Sequence, residues 1–309
     1  MIVGLFVLVK VMRVGGRMQG LGAGGARVVL IRVDGMIVAG QSGFSLIGGT
    51  ATGSDDVVNQ IERATADDEV KAILLRVNSP GGSAAGSQEI YNAIQRARSE
   101  GMIVVASMAD IAASGGYYVS APADRIYADP ATVTGSIGAI AMHQDMSGLF
   151  EKLGLQSEVV KSGELKDMFS PTGPLTEEAR GIIRALVEEV HEQFMQAVAE
   201  GRGMDMERVR ELADGRIYTG AQAVENGLVD ELGGMQEALR GAGELAAIEG
   251  VPQVKQYGTP SLWRMLLGGG GSSSSSQVPL RGGLLYDDFA AGLVRGGIEP
   301  ELPTSPGEM

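Results

Sequence analysis

Between Arg27 and Tyr127 short β-branched runs alternate with stretches of helical spacing, and this alternation restricts the fold more than any other feature of the chain. Arg27-Val-Val-Leu-Ile-Arg-Val33, Lys71-Ala-Ile-Leu-Leu-Arg-Val77, Met102-Ile-Val-Val-Ala106 and Arg125-Ile-Tyr127 read as strands. Residues 54–64, 88–98 and 114–121 between them read as helices. Strands separated by helices cannot pair as hairpins. They form mostly parallel sheets covered by helices, an α/β architecture.

From Leu175 the pattern changes. Thr176-Glu-Glu opens a long amphipathic helix reaching about residue 200, followed by shorter helices near 206–213, 220–226 and 235–248. The apolar face of the long helix, Ile182, Ile183, Leu186, Val187 and Val190, is expected to pack on its own core. The folded unit spans 27–258. Ahead of it, residues 1–26 hold an apolar run, 1–9, and a Gly-rich linker. That run is far shorter than the ~20 residues of a membrane helix and has no basic stretch ahead of it. It reads as the end of a membrane anchor, a weak export signal or an apolar extension. Residues 259–309 are a flexible Gly/Ser linker and tail, with a short helix near 286–294.

Composition narrows the chemistry. A net charge of -13 argues against nucleic acid as a partner, because affinity for polyanions comes from basic residues that displace counterions. With no cysteine and only His143 and His191, thiolate nucleophiles, Cys-ligated metals and multi-histidine metal centres are excluded. The sequence calls for no cofactor and no metal.

Chemistry-bearing residues gather at four places. Asn78-Ser-Pro-Gly-Gly82-Ser ends an apolar strand, and its glycines let the backbone turn and present N–H groups able to hold an oxyanion, unless the segment is an ordinary strand-to-helix turn. Ala112-Ala-Ser114-Gly-Gly-Tyr-Tyr118 places a serine in open space at a helix start beside the Gly115 N–H, as an acyl-forming nucleophile requires and as a plain N-cap also would. Lys161-Ser-Gly-Glu-Leu-Lys166-Asp167 follows a strand at 158–160. Lys166 is a general base if Leu165, Met168 and Phe169 desolvate it, and a solvated charge otherwise. Gly135-Ser-Ile-Gly-Ala-Ile-Ala-Met-His143 is a Gly-punctuated β segment. Its histidine could serve Ser114 as a conventional base, with Asp145 or Asp167 as orienter, or be a polar strand end. His191 stands among acids on the long helix and reads as a solvated position.

Asn78-Ser-Pro-Gly-Gly82, Ala113-Ser114-Gly-Gly-Tyr-Tyr118, Thr134-Gly-Ser-Ile-Gly138 and Lys161-Ser-Gly-Glu-Leu-Lys166-Asp167 occur in the order that they take in the signal peptide peptidase A family of membrane-bound serine proteases. The chain resembles the short, single-domain form of that family over about residues 27–240. The resemblance implies a spiral of β-β-α repeats of the Clp protease and crotonase type, with a C-terminal helical extension. It implies a Ser/Lys dyad of Ser114 and Lys166, with the N–H groups of Gly82, or of Gly81, and of Gly115 as the oxyanion hole. It further implies peptide substrates, above all leftover signal peptides, a homo-oligomer whose subunit contacts lie near the dyad, and membrane association with the catalytic domain outside the cytoplasm. Ser170 is a candidate to hold the lysine ammonium, or a turn residue before Pro171.

Two alternatives remain at this level. A Clp-like Ser114/His143 protease leaves the Lys166 motif without a role. A crotonase-like acyl-CoA enzyme would use the same paired N–H groups without a covalent serine.

Overall fold

In the computed structural model, which describes residues 27–45 and 49–257, the apolar runs become the middle of one sheet. β1 (Arg27–Asp34) is followed by β2 (Met36–Val38), β3 (Gly43–Ser45), β4 (Gly49–Gly53) and α1 (Ser54–Thr65). Next come β5 (Val70–Ser79), α2 (Ala84–Ser99), β6 (Ile103–Ala113), α3 (Gly115–Ser120), β7 (Arg125–Ala128) and β8 (Val133–Gly135). The remainder is α4 (Ser147–Lys152), α5 (Glu177–Arg202), α6 (Met206–Leu212), β9 (Ile217–Thr219), α7 (Gly220–Glu225), β10 (Glu231–Leu232), α8 (Met235–Leu245) and β11 (Gln253–Lys255). The sheet runs β10-β7-β6-β5-β1-β11 with parallel neighbours, and β8 joins it through β6. β2, β4 and β3 form a second, small sheet.

The reason β1 and β5 read as nearly continuous apolar runs is that both faces of the sheet are covered. Val29, Ile31, Val33, Ile73, Leu75 and Val77 face a core shared with Val57 and Ile61 of α1 and Ile90 and Ile94 of α2. The alternate positions Val28, Leu30, Ala72 and Leu74 meet Ala238, Leu239 and Ala242 of α8. Side chains two apart share a face of a strand, so one run feeds two cores.

The expected α/β class and Clp/crotonase-like arrangement hold. In each of the first repeats a long strand hands over to a short crossing segment and then a helix: β1, β2 and α1, or β5, the bridge from Gly82 to Ile37, and α2. β6 combines both roles in one element. Its Val105–Met108 stretch pairs with β7, and Ile111–Ala113 pairs with β8. Against β5 the register steps from Val77↔Met108 to Ser79↔Ala112, two residues on one strand for four on the other. Such a bulge bends a strand, and here it re-aims the end of β6 before Ser114.

Two local expectations are corrected. The strand expected to stop at Ala106 runs on to Ala113, so no loop precedes Ser114. Residues 158–160 form no strand; they are exposed and lie outside the sheet, with no neighbouring strand paired to them. The apolar run 1–9, the Gly/Ser linker and the helix expected near 286–294 lie outside the described residues. Among the described residues no helix is long and apolar enough to cross a membrane.

Candidate active site

Ser114 follows β6 directly and has φ 52°, ψ −122°, a conformation that residues with a Cβ seldom adopt and that costs on the order of 1–3 kcal/mol. Both sides hold it there. Its N–H donates to the Gly135 carbonyl of β8 at 2.8 Å, and its carbonyl accepts from Tyr118 N at 2.9 Å. α3 is anchored in turn by the buried Tyr117, whose hydroxyl donates to the Leu228 carbonyl at 2.9 Å. Ser114 occupies the N-cap position of α3, yet its hydroxyl makes no capping hydrogen bond. The plain N-cap role therefore fails, and Oγ is left half-buried at the end of a strained turn.

Gly81 and Gly82 press against this turn. A Cβ on Gly81 would stand 2.8 Å from Ser114 Cβ and from Gly115 N, and one on Gly115 would stand 3.3 Å from Gly82 N. Both glycines have positive φ, 107° and 152°. The segment runs alongside β2: Ile37 N donates to Gly81 O at 2.9 Å and Ser83 N donates to Ile37 O at 2.8 Å. Successive backbone groups of an extended chain alternate in direction, so the Gly82 N–H points away from β2 and toward the serine turn. Among the described residues neither the Gly82 N–H nor the Gly115 N–H donates to any acceptor. Two unpaired donors beside a free hydroxyl are what stabilisation of a tetrahedral oxyanion requires.

This corner opens into a cavity of about 810 Å³ that holds Ser114, Gly115, Gly82, Ser87, Ser136 and Tyr118 on one part of its wall. The rest of the wall includes Gly138–Ala141, Phe169, and Ile183, Leu186, Val187, Val190, His191 and Phe194 of α5. Here the structure corrects a further expectation. The N-terminal half of α5 does not pack on the core; its apolar face walls the cavity, and Leu186 is 53% exposed. Apart from Ala179 in the first turn, the buried residues of α5, Phe194, Met195, Ala197 and Val198, all lie in the second half. His191 is likewise half-buried on the cavity wall and not solvated. The signal that sequence reasoning passed over is the spacing: 191 lies four residues after 187, on the stripe of 183, 187, 190 and 194. Burial pushes the Tyr118 hydroxyl up to about 12, so it stays protonated beside Gln88.

The other expected groups stand apart from the serine. Lys166 is exposed, on a run of turns from 164 to 169, and is not among the cavity-lining residues, although Phe169 of the same run is. Leu165 and Met168 are half-buried and do not enclose its amine. Lys161 is paired with Asp167 at 2.9 Å, which raises the lysine and lowers the carboxyl from their usual values. His143 Nε2 lies 3.0 Å from the Gly173 carbonyl, Asp145 accepts from Ser147 N, and Asp167 is taken by Lys161. The structure therefore assembles no Ser114/His143 triad. Ser170 is engaged with Thr172 at 2.8 Å and not with a lysine. Ser87 and Ser136 reach the cavity without having been singled out in sequence. The φ of 50° at Ser136 comes from a chain path that no local spacing reveals.

The Peptidase family S49 profile matches residues 96–249, a stretch with Ser114 and Lys166 inside it. A putative signal peptide peptidase SppA of Enterococcus faecium is 42% identical over 219 residues, 71% of this chain and 63% of that protein. A putative protease of Synechocystis is 41% identical over 206 residues, 67% of this chain and 74% of that protein. Protease 4 of Haemophilus influenzae is 36% identical over 219 residues, covering 35% of its length. The chain thus spans less than two thirds of the length of the first and third of these relatives.

Proposed function

Because the chain belongs to peptidase family S49, the signal peptide peptidase A family of serine proteases, we propose that it is a serine endopeptidase acting through Ser114 and Lys166 on leftover signal peptides and other short hydrophobic peptides. The observation that carries this reading is the uncapped hydroxyl of Ser114, set in a strained turn beside the unpaired N–H groups of Gly82 and Gly115.

In the proposed reaction the unprotonated Lys166 amine takes the Oγ proton as Ser114 attacks the scissile carbonyl, and the two N–H groups receive the oxyanion. The lysine ammonium then protonates the departing amine, and water hydrolyses the acyl-enzyme. No cofactor enters. The apolar face of α5 suits hydrophobic side chains. Residues 138–141, which form no backbone hydrogen bonds among the described residues, offer an extended peptide a strand to pair with.

One chain leaves Lys166 in water, and a lysine base needs a drier setting. The segment that bears it also exposes Ile140 (89%), Met142 (74%) and Val160 (94%). Apolar groups displayed in this number belong to an interface. A homo-oligomer whose subunit contacts lie near the dyad would cover them, carry Lys166 to the serine and enclose the site. The proposed location is the membrane, with the catalytic domain on its extracytoplasmic side.

Mass spectrometry of the protein treated with a serine-directed acylating probe tests the reading. A single adduct on Ser114 is expected, absent in Ser114→Ala. An unlabelled Ser114 in a protein that binds acyl-CoA would overturn the peptidase reading in favour of crotonase-like chemistry.

A further inference from the structure

The apolar wall that α5 gives the cavity is interrupted once. Ile183, Leu186, Val187, Val190 and Phe194 line it, and His191 lines it with them. His191 Nε2 is buried and has no hydrogen-bond partner among the described residues. Interiors retain few such atoms, because a polar group taken from water without a replacement partner is costly. Nearby polar groups do not supply one. Tyr118 donates to Gln88, Ser87 to the Ser83 carbonyl, and Asp214 is held by Arg216. On the helix itself Glu188 and Glu189 are exposed, and Glu192 faces Arg210 at 3.9 Å. The ring lines the cavity, and a half-turn about its soft ring torsion exchanges Nε2 with Cε1. A partner for this nitrogen can arrive through the cavity.

We propose that His191 is a specificity-determining residue: its ring nitrogen hydrogen-bonds a neutral polar side chain, a hydroxyl or carboxamide, of the bound peptide at the one position that faces this turn of α5. The inference rests on the peptidase reading above. A side chain is indicated because the backbone of an extended peptide has its partners at Gly82 and residues 138–141, and what meets a helix wall is the side chain. A neutral group is indicated because Glu188 and Glu192, a turn before the imidazole and next to it on the helix, would repel a carboxylate, and the apolar side chains lining the cavity around the ring would leave a cation desolvated.

The test uses the full chain and pairs of peptides identical except for Leu or Thr at one position, scanned along the peptide. For each pair the ratio of kcat/KM values is measured in the wild type, His191→Leu and His191→Gln, with Ser114 labelling measured in parallel. At one position the Thr/Leu ratio is expected to fall roughly tenfold in His191→Leu, the size of one hydrogen bond to a buried group, and to be largely kept in His191→Gln. Ratios at the other positions should not move. A uniform change over all peptides with Ser114 still labelled means a structural role and overturns the inference alone. Failure of wild-type Ser114 to label overturns the peptidase reading and the inference with it.

Discussion

Ser114 and Lys166 sit in regions built in opposite ways. The serine ends a buried strand of the main sheet, is locked by β8 and α3, and keeps a strained φ because neighbours on every side fix it. The lysine lies in the stretch from 139 to 176, where short turns and one six-residue helix follow one another and no residue is fully buried. Strain at a reacting atom needs a surrounding structure that over-determines it. A segment without a core of its own can instead take its final surroundings from whatever docks on it. The difference teaches that one half of the proposed dyad is preformed in a single chain, while the other stands exposed, where the proposed subunit contact would complete it.

The largest expected effect tests the preformed half. Ser114→Ala should lower peptide hydrolysis by about 10⁴-fold or more, with circular dichroism and Tm showing an intact fold. A variant that retained substantial turnover would detach the strained turn from catalysis.

Next, Lys166→Ala should cost on the order of 10³-fold in kcat, the range of a lost general base, while His143→Ala stays close to wild type. A loss in His143→Ala as large as that in Lys166→Ala would reverse the comparison, placing the base outside the lysine segment.

The docked half is sharpened by charging its surface. Ile140→Asp puts a carboxylate on the exposed apolar patch and should weaken self-association by roughly 30-fold, the ~2 kcal/mol of an interface anchor. Light scattering would show the smaller mass, and activity at a fixed concentration should fall with it. An unchanged mass with normal activity would mean that the patch is not the contact.

Gly82→Ala probes the preformed half more gently, and it is not a clean catalytic variant. A Cβ there runs into the Ile37 carbonyl and must tolerate φ 152°. The variant should lose ~1–3 kcal/mol of stability by denaturant titration, together with turnover. Turnover lost at unchanged stability would show that the bridge to Ile37 yields freely.

The smallest effect lies at the cavity rim. The Arg216 guanidinium, with its backbone N–H, holds the Asp214 carboxyl at about 2, below its usual 3.8. A depressed carboxylate adds stability that is present above the usual value and is lost as pH falls through about 2. Arg216→Leu should therefore show a small Tm deficit at pH 7 that disappears at the acid end. Because the pair is exposed, high salt should shrink the deficit.

Sequence alone determined the α/β class, the order of the central strands and helices, and the segments that carry chemistry. These are local properties: β-branched runs, helical spacing and glycines at turns leave their signature within a few residues. Ser114 could be placed beside Gly81-Gly82 through motif order, but its positive φ and uncapped hydroxyl follow from the bulge in β6 and the pairing with β8, which join residues far apart in the chain. The same holds for α5. Its amphipathic stripe was plain, yet whether a stripe covers a core or walls a cavity depends on what stands opposite, and Ser114, Gly82 and Ser136 stand opposite. The stretch from 139 to 176 marks the other limit. Local pattern suggested a strand at 158–160 and an enclosed lysine, and tertiary structure gave neither, because a strand requires a partner edge and desolvation requires a covering surface.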